Sequence, residues 1–386
     1  MKLSHGFGHA AFVRVVLLLS LVACAPRPTV LGAQFIDAGV DAGAPTLKTA
    51  ATVGPLSQTS CRKRFQPVYP AGCFGGSGPP PDQCVVAQRP DGGVTLVTSV
   101  PTSGDLVIRT LHGLAGARVV VEVASVTAAA PVEVSAFDVD GGAPGVLLLT
   151  GSVYATIPSM TVTGPTWDAV LCDGTCVLRE GRVDRASSTV VASNVLPPSP
   201  RAPIARSGST RAWTTDGGVT TSASPALVTV SPGLVAFDTD GTLFAVEGPK
   251  LLRSPEGVRT ELRTDLESPV GLFLIEGHVL VVEARRVRAF PKQGGAPLVL
   301  YELAPSNLGT LSAPRLVGGR LFFDQVCERV TPTVDLSGNV ELDFVQGRAR
   351  WLNEDPAFPF LDGARPDAPG YRDVFVSPEV IVGLVE

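Results

Sequence analysis

From Asp105 onward the chain alternates short runs of β-branched and other apolar residues with glycine-containing turns. Leu272-Phe273-Leu274-Ile275, then Glu276-Gly277, then His278-Val279-Leu280-Val281-Val282 predicts a hairpin. The same form recurs in Arg315 to Val317, Gly318-Gly319 and Arg320 to Phe323. It recurs again in Leu234 to Phe237, which turns through Asp238-Thr239-Asp240-Gly241 into Thr242 to Val246. Asp168 to Leu178 predicts a fourth hairpin, turning at Asp173-Gly174. Asp-Gly and Gly-Gly suit such turns because glycine reaches positive φ at no steric cost.

The hairpins repeat. The turn glycines Gly174, Gly208, Gly241, Gly277 and Gly319 are 34, 33, 36 and 42 residues apart, the Gly208 member being poor in apolar residues. A second echo has identical internal spacing: Val134-Ser135-Ala136-Phe137 with Gly141-Gly142-Ala143-Pro144 matches Val287-Arg288-Ala289-Phe290 with Gly294-Gly295-Ala296-Pro297. The offset of 153 residues between the two is close to four repeats. Strand-filled repeats of this length are the signature of a β-propeller. In Leu243 to Val246 and Val279 to Val282 apolar residues occupy both alternating positions, so both faces of each sheet must be covered. Stacked blades cover both, whereas a sandwich leaves one face wet. The expected fold is therefore all-β, a propeller of roughly six or seven short-stranded blades over residues 105–386, with paired β-sandwich domains as the alternative. Trp167-Asp168 precedes its hairpin and is not placed like the dipeptide of WD repeats. The terminal run Asp373 to Val382 is strand-like, and in a closed ring the two chain ends commonly share a blade, which removes an exposed edge.

Ahead of this domain, residues 24–58 are rich in Ala, Pro, Gly and Thr, with Asp37-Ala38-Gly39 echoed by Asp41-Ala42-Gly43. Too few large apolar residues are present to offset ordering entropy, so the stretch reads as a flexible tether. Residues 59–104 carry Cys61, Cys73 and Cys84 around a Gly75 to Pro81 run and predict an irregular, stapled segment. Arg62-Lys63-Arg64 within it reads as a solvated face.

Lys2 and Arg14 precede an apolar run from Val15 to Val22, the layout of a secretory signal peptide over residues 1–23. The run is shorter than the roughly 20 residues a bilayer core requires. Leu21-Val22-Ala23-Cys24 resembles the lipobox of bacterial lipoproteins. That resemblance implies cleavage between Ala23 and Cys24, diacylglycerol on the Cys24 thiol and an acyl group, such as palmitate, on the new amino terminus. Three chains would hold the protein at a membrane permanently. Ala25, in place of the Asp often found after the cysteine of inner-membrane lipoproteins, implies the outer membrane, on its periplasmic face or at the cell surface. A soluble secreted protein cleaved elsewhere is the alternative.

The 386 residues are 45% hydrophobic and 17% charged with a net charge of -5, which suits a large core and gives no basis for nucleic-acid binding. With Cys24 assigned to the anchor, Cys61, Cys73, Cys84, Cys172, Cys176 and Cys327 remain. An even number in an exported chain favours disulfides. Structural zinc sites usually show tight pairs such as two cysteines separated by two residues, and no such pair occurs. A bond from Cys327 back to the Cys61 to Cys84 segment would reinforce ring closure. Cys172 and Cys176 face each other across the hairpin and can bond if its loop is three residues long, and point to opposite faces if the turn is the two-residue Asp173-Gly174.

Candidate chemistry is sparse. His112 and His278 lie beside turns and read as surface residues, and no Gly-x-Ser-x-Gly elbow accompanies them. Asp138, Asp140, Asp238 and Asp240 resemble fragments of calcium loops but lack the remaining ligands, so they read as turn residues. Glu247, Glu276, Asp324, Glu328 and Asp355 are plausible loop acids. No metal or cofactor is expected. These features imply a lipid-anchored envelope protein that binds a protein or glycan partner or serves as a scaffold. The alternative is a polysaccharide hydrolase or lyase using loop carboxylates.

Overall fold

The computed structural model describes residues 46–57, 60–61, 64–65, 83–89, 93–101, 104–127, 130–199, 203–216, 218–222, 234–255, 258–305, 309–317, 319–331, 334–354, 360–361, 371–376 and 380–385. They form a β-propeller of seven blades. Blade 1 contains Leu106–Ala115, Arg118–Ser125, Glu133–Asp138 and Val146–Thr150, and blade 2 contains Thr156–Thr163, Thr166–Asp173, Thr175–Arg182 and Ser188–Ser193. Blade 3 has three strands among the described residues, Ala205–Ser207, Thr210–Thr215 and Gly218–Thr221. Blade 4 follows with Val235–Phe237, Leu243–Glu247, Lys250–Ser254 and Thr260–Arg263. Blade 5 is Pro269–Ile275, His278–Glu283, Arg286–Pro291 and Leu298–Glu302, and blade 6 is Leu311–Val317, Arg320–Thr331, Val334–Asp343 and Arg348–Trp351. Within each blade the first strand is innermost, where several of these first strands touch those of neighbouring blades.

Blade 7 joins the two ends of the chain. Its order is Tyr371–Val376, Ile381–Val385, Gln83–Gln88, Val94–Val100, with Val86 opposite Gly383 across the junction. The shared blade expected from the terminal strands is therefore present, and it draws in residues that composition assigned to an irregular segment. Gln83 to Val100 belong to the propeller, because Cys84-Val85-Val86-Ala87 is fully buried between strands from opposite ends of the chain.

The blades are covered on both faces. Val279 and Val281 enter a core shared with Phe244 and Val246 of blade 4, while Leu280 and Val282 enter one shared with Leu321 and Phe323 of blade 6. Alternate residues of one strand thus feed two different seams, and no blade face is left to water at these positions.

The repeat marker needs one correction. Gly208, Gly241, Gly277 and Gly319 occupy the turn between the innermost and second strands, but Gly174 lies between the second and third strands of blade 2. The equivalent glycines are Gly164 in blade 2 and Gly116 in blade 1, with positive φ like the others. The second echo was in register: Val134 to Phe137 and Val287 to Phe290 lie in the third strands of blades 1 and 5, four blades apart.

Candidate functional site

Residues 46–57 contain no strand, yet they are fixed. The Ala50 amide donates to the Leu300 carbonyl at 2.8 Å and the Lys48 amide to the Phe344 carbonyl at 2.9 Å. The hydroxyls of Thr49 and Thr52 donate to the carbonyls of Val299 and Glu302. Ala50 and Leu56 are buried in the core between blades 5 and 6. This end of the stretch read as a tether is instead a strap along the outer edge of blade 5, held by backbone and threonine bonds that average composition does not reveal. The signal segment, Cys24 and residues up to 45 lie outside the described residues.

Cys61 is bonded to Cys327 of blade 6, with 5.9 Å between Cα atoms, so the strap is covalently fastened to the ring. Cys84 is also in a disulfide, and Cys73 lies outside the described residues. Cys172 and Cys176 are bonded and directly opposed, with Asp173 paired to Thr175 and Gly174 at the apex. Three residues separate them, the register that lets the two thiols meet.

Beside the strap the outermost strand of blade 6, Arg348–Trp351, pairs among the described residues on one side only, with Val340 to Asp343. A cleft of about 920 Å³ opens there, its walls being strap residues Ala51 to Gly54 on one side and Arg320, Glu341, Asp343 and Gly347 to Trp351 on the other. Trp351 also lines it, its indole N–H donating to the Gly54 carbonyl at 2.9 Å. Registers Glu341–Arg350 and Asp343–Arg348 place these four on one face of the sheet. The buried Glu341 carboxylate receives Arg320 on Oε1 at 2.5 Å and Arg350 on Oε2 at 2.7 Å. Asp343 Oδ1 accepts the amides of Val345 and Gln346 and so caps the turn. Among the described residues Arg348 has no ion-pair partner, and it is exposed.

Other charged groups are gathered at blade seams. Asp168 and Glu180 lie directly opposite each other in blade 2, and Arg206 and Arg211 directly opposite in blade 3. Like charges so placed repel; the two blades cancel each other's repulsion. Arg211 bonds Asp168 at 2.5 Å and also Glu180, and Arg206 bonds Glu180 at 2.6 Å. Burial pushes the Asp168 carboxyl above its ordinary range, against the pull of both arginines. Sequence reasoning missed this plate, although Asp168 and Glu180 are equally spaced about Gly174. A second missed signal is an acid or amide six residues after the first-turn glycine: Glu122, Glu247, Glu283 and Gln325. Glu283 is fully buried and receives Arg286 at 3.0 Å and Arg288 at 2.6 Å.

Of the predicted candidates, His112 requires correction: its side chain is almost wholly buried, with Nε2 2.9 Å from Oε2 of Glu122, because it sits on the innermost strand and not in a turn. His278 does lie beside its turn, half-buried. Asp138 and Asp240 accept the amides of Asp140 and Thr242, the latter bond holding the Asp240 carboxyl below its usual range. Asp140 pairs with Arg89, and Asp238 with Lys292 at 2.8 Å. Among the described residues no three His, Cys, Asp or Glu side chains form a group able to hold a metal. Glu247 pairs with Arg259 at the end of its strand, Glu276 is exposed at the first turn of blade 5, and Asp324 accepts Asn339 Nδ2 at 2.5 Å within blade 6. These three lie on three different blades; the Glu328 side chain and Asp355 lie outside what is described. Arg62 and Lys63 do as well.

The class is thus defined: a seven-bladed propeller, closed by strands from both chain ends and clasped by a disulfide-fastened strap. No protein-family model matches the chain, and no curated protein matches it. Among solved structures it is similar to YCF48 bound to D1 peptide, with 11% identity over 73% of this chain and 93% of that one and a TM-score of 0.44. YCF48 from Cyanidioschyzon merolae gives 9% identity, 80% and 96% coverage and a TM-score of 0.43. The extracellular domain of a hybrid two-component system from B. thetaiotaomicron gives 10% identity, 74% and 38% coverage and 0.44.

Proposed function

We propose that this protein is an exported, lipid-anchored envelope component whose propeller is a rigid binding scaffold for a protein or glycan partner. The observation that carries the reading is the Cys61–Cys327 bond, which closes 266 positions of sequence and fastens the segment following the leader to the ring. Long-range disulfides belong to oxidising compartments. Leu21-Val22-Ala23-Cys24 supplies the means of attachment, and the strap supplies a fixed point from which the chain leaves the ring at the outer edges of blades 5 and 6. The acids suited to glycoside cleavage are dispersed over blades 4, 5 and 6 or engaged by arginine, which favours binding over hydrolysis or lyase chemistry.

The test is detergent partition of the full chain expressed in a Gram-negative host, with mass analysis of its N-terminal peptide. The wild type is expected in the detergent phase with a peptide beginning at acylated Cys24, and Cys24→Ala in the aqueous phase. Wild-type protein in the aqueous phase with an unmodified Cys24 thiol would end the anchor reading.

A further inference from the structure

We propose that the cleft between the strap and blade 6 receives an extended peptide strand carrying acidic side chains at alternate positions. This rests on the binding-scaffold reading and names the partner's chemistry. Each blade of a propeller ends in a strand with one unpaired edge, a template for strand addition that folds commonly block. In blade 5 the strap blocks it, occupying the carbonyls of Val299, Leu300 and Glu302. In blade 6 the strap stands off. Between it and Arg348–Trp351 lies the 920 Å³ cleft, bridged by the Trp351 to Gly54 bond. An extended segment laid there meets main-chain donors and acceptors along the strand edge, the mode of β-augmentation.

Side chains of such a segment alternate between two surroundings. One set faces Trp351 and Val53, which pack on the core between blades 5 and 6. The other faces the row made by Arg320, Arg348 and Arg350. Against those three cations the same sheet face sets Glu341, shared by Arg320 and Arg350, and Asp343, whose Oδ1 holds the turn amides and whose Oδ2 lies 3.8 Å from Arg320. The face keeps a positive excess at Arg348, and guanidinium groups bind carboxylates with two parallel hydrogen bonds. Glu354, three residues beyond Trp351, also lines the cleft and disfavours acidic side chains near it, which leaves the Arg348–Arg350 side for them.

The probe is a fluorescein-labelled octapeptide alternating valine and glutamate, compared with one alternating valine and lysine, titrated by anisotropy into the full chain purified in detergent. The glutamate peptide is expected to bind, to weaken as salt rises, and to slow amide exchange at residues 348–351. Arg348→Glu, which breaks no ion pair among the described residues, is expected to weaken it at least tenfold, and Arg348→Glu with Arg350→Glu further. Equal binding of the two peptides, no effect of Arg348→Glu in a folded variant, protection elsewhere on the ring, or binding only of soluble glycans would overturn the proposal. Cys24→Ala leaves the cleft intact, so loss of the anchor and loss of peptide binding are read separately.

Discussion

The Tyr301 hydroxyl, on the outermost strand of blade 5, donates a 2.6 Å hydrogen bond to Oε1 of Gln325 on the second strand of blade 6. Both residues are buried, and Val53 of the strap packs on the core that contains Tyr301. One side chain therefore ties two blades and the strap together, at the seam where the cleft opens.

Burial pushes the Tyr301 hydroxyl from 10.0 up to about 12. Between those values the unfolded chain releases a proton that the folded chain keeps, so stability is complete below pH 10 and falls as pH rises towards 12. The loss amounts to about 2–3 kcal/mol at most. Tyr301→Phe is expected to flatten that part of a urea stability-against-pH profile. At neutral pH it costs about 1–2 kcal/mol because Gln325 loses its donor. An unchanged alkaline slope in the variant would show that Tyr301 titrates normally.

The charged plate between blades 2 and 3 makes a different demand. Removing Arg211 leaves Asp168 buried beside Glu180 with Arg206 alone, so Arg211→Ala should cost about 3–5 kcal/mol. Replacing both members with apolar groups, Asp168→Leu with Arg211→Met, should recover much of that loss, since the desolvation penalty goes with the charges. Denaturant midpoints of the single and double variants decide it, and additive losses would contradict the argument.

How far the sequence could be read follows from where each signal lies. The echo of Val134 to Phe137 in Val287 to Phe290 was legible because both members are local, a strand and its turn, and the three intervening blades preserve the count. Gly174 was misplaced because a tight hairpin looks the same whichever two strands of a blade it joins. The hairpin of Gln83–Gln88 and Val94–Val100 was hidden because the strand that takes it into a blade, Ile381–Val385 beside Gln83–Gln88, lies at the other end of the chain. The strap is held largely through its main chain, which residue types report poorly. The cleft is less legible still: Arg348 and Arg350 become a row only once a register is fixed and the strap stands opposite.

The Cys61–Cys327 bond should be worth about 2–5 kcal/mol, as for native disulfides of exported domains. Cys327→Ala is expected to lower the melting temperature and to speed amide exchange at Lys48 and Ala50, while amides of blade 2 exchange as before. Uniform acceleration around the ring would mean that the strap does not open on its own.

Gly338 gives the sharpest test of how closely the strap and the cleft depend on each other. A methyl group there would stand 2.8 Å from Trp351 Cζ3 and 2.9 Å from Leu56 Cδ2, closer than carbon atoms approach. One of the two must move, and both belong to the core between blades 5 and 6. Trp351 is held by its own strand in the sheet, whereas Leu56 hangs from the strap, so the strap should yield. Gly338→Ala is therefore expected to cost about 1–3 kcal/mol, the usual penalty of overpacking. It should also break the Trp351 to Gly54 bond and widen the cleft, which tryptophan fluorescence would report as increased exposure to quencher. Gly116→Ala, at a turn with φ of 58° and open space around it, should show a backbone penalty alone and leave quenching unchanged. If both variants quench alike, the strap is not packed against Gly338 in solution.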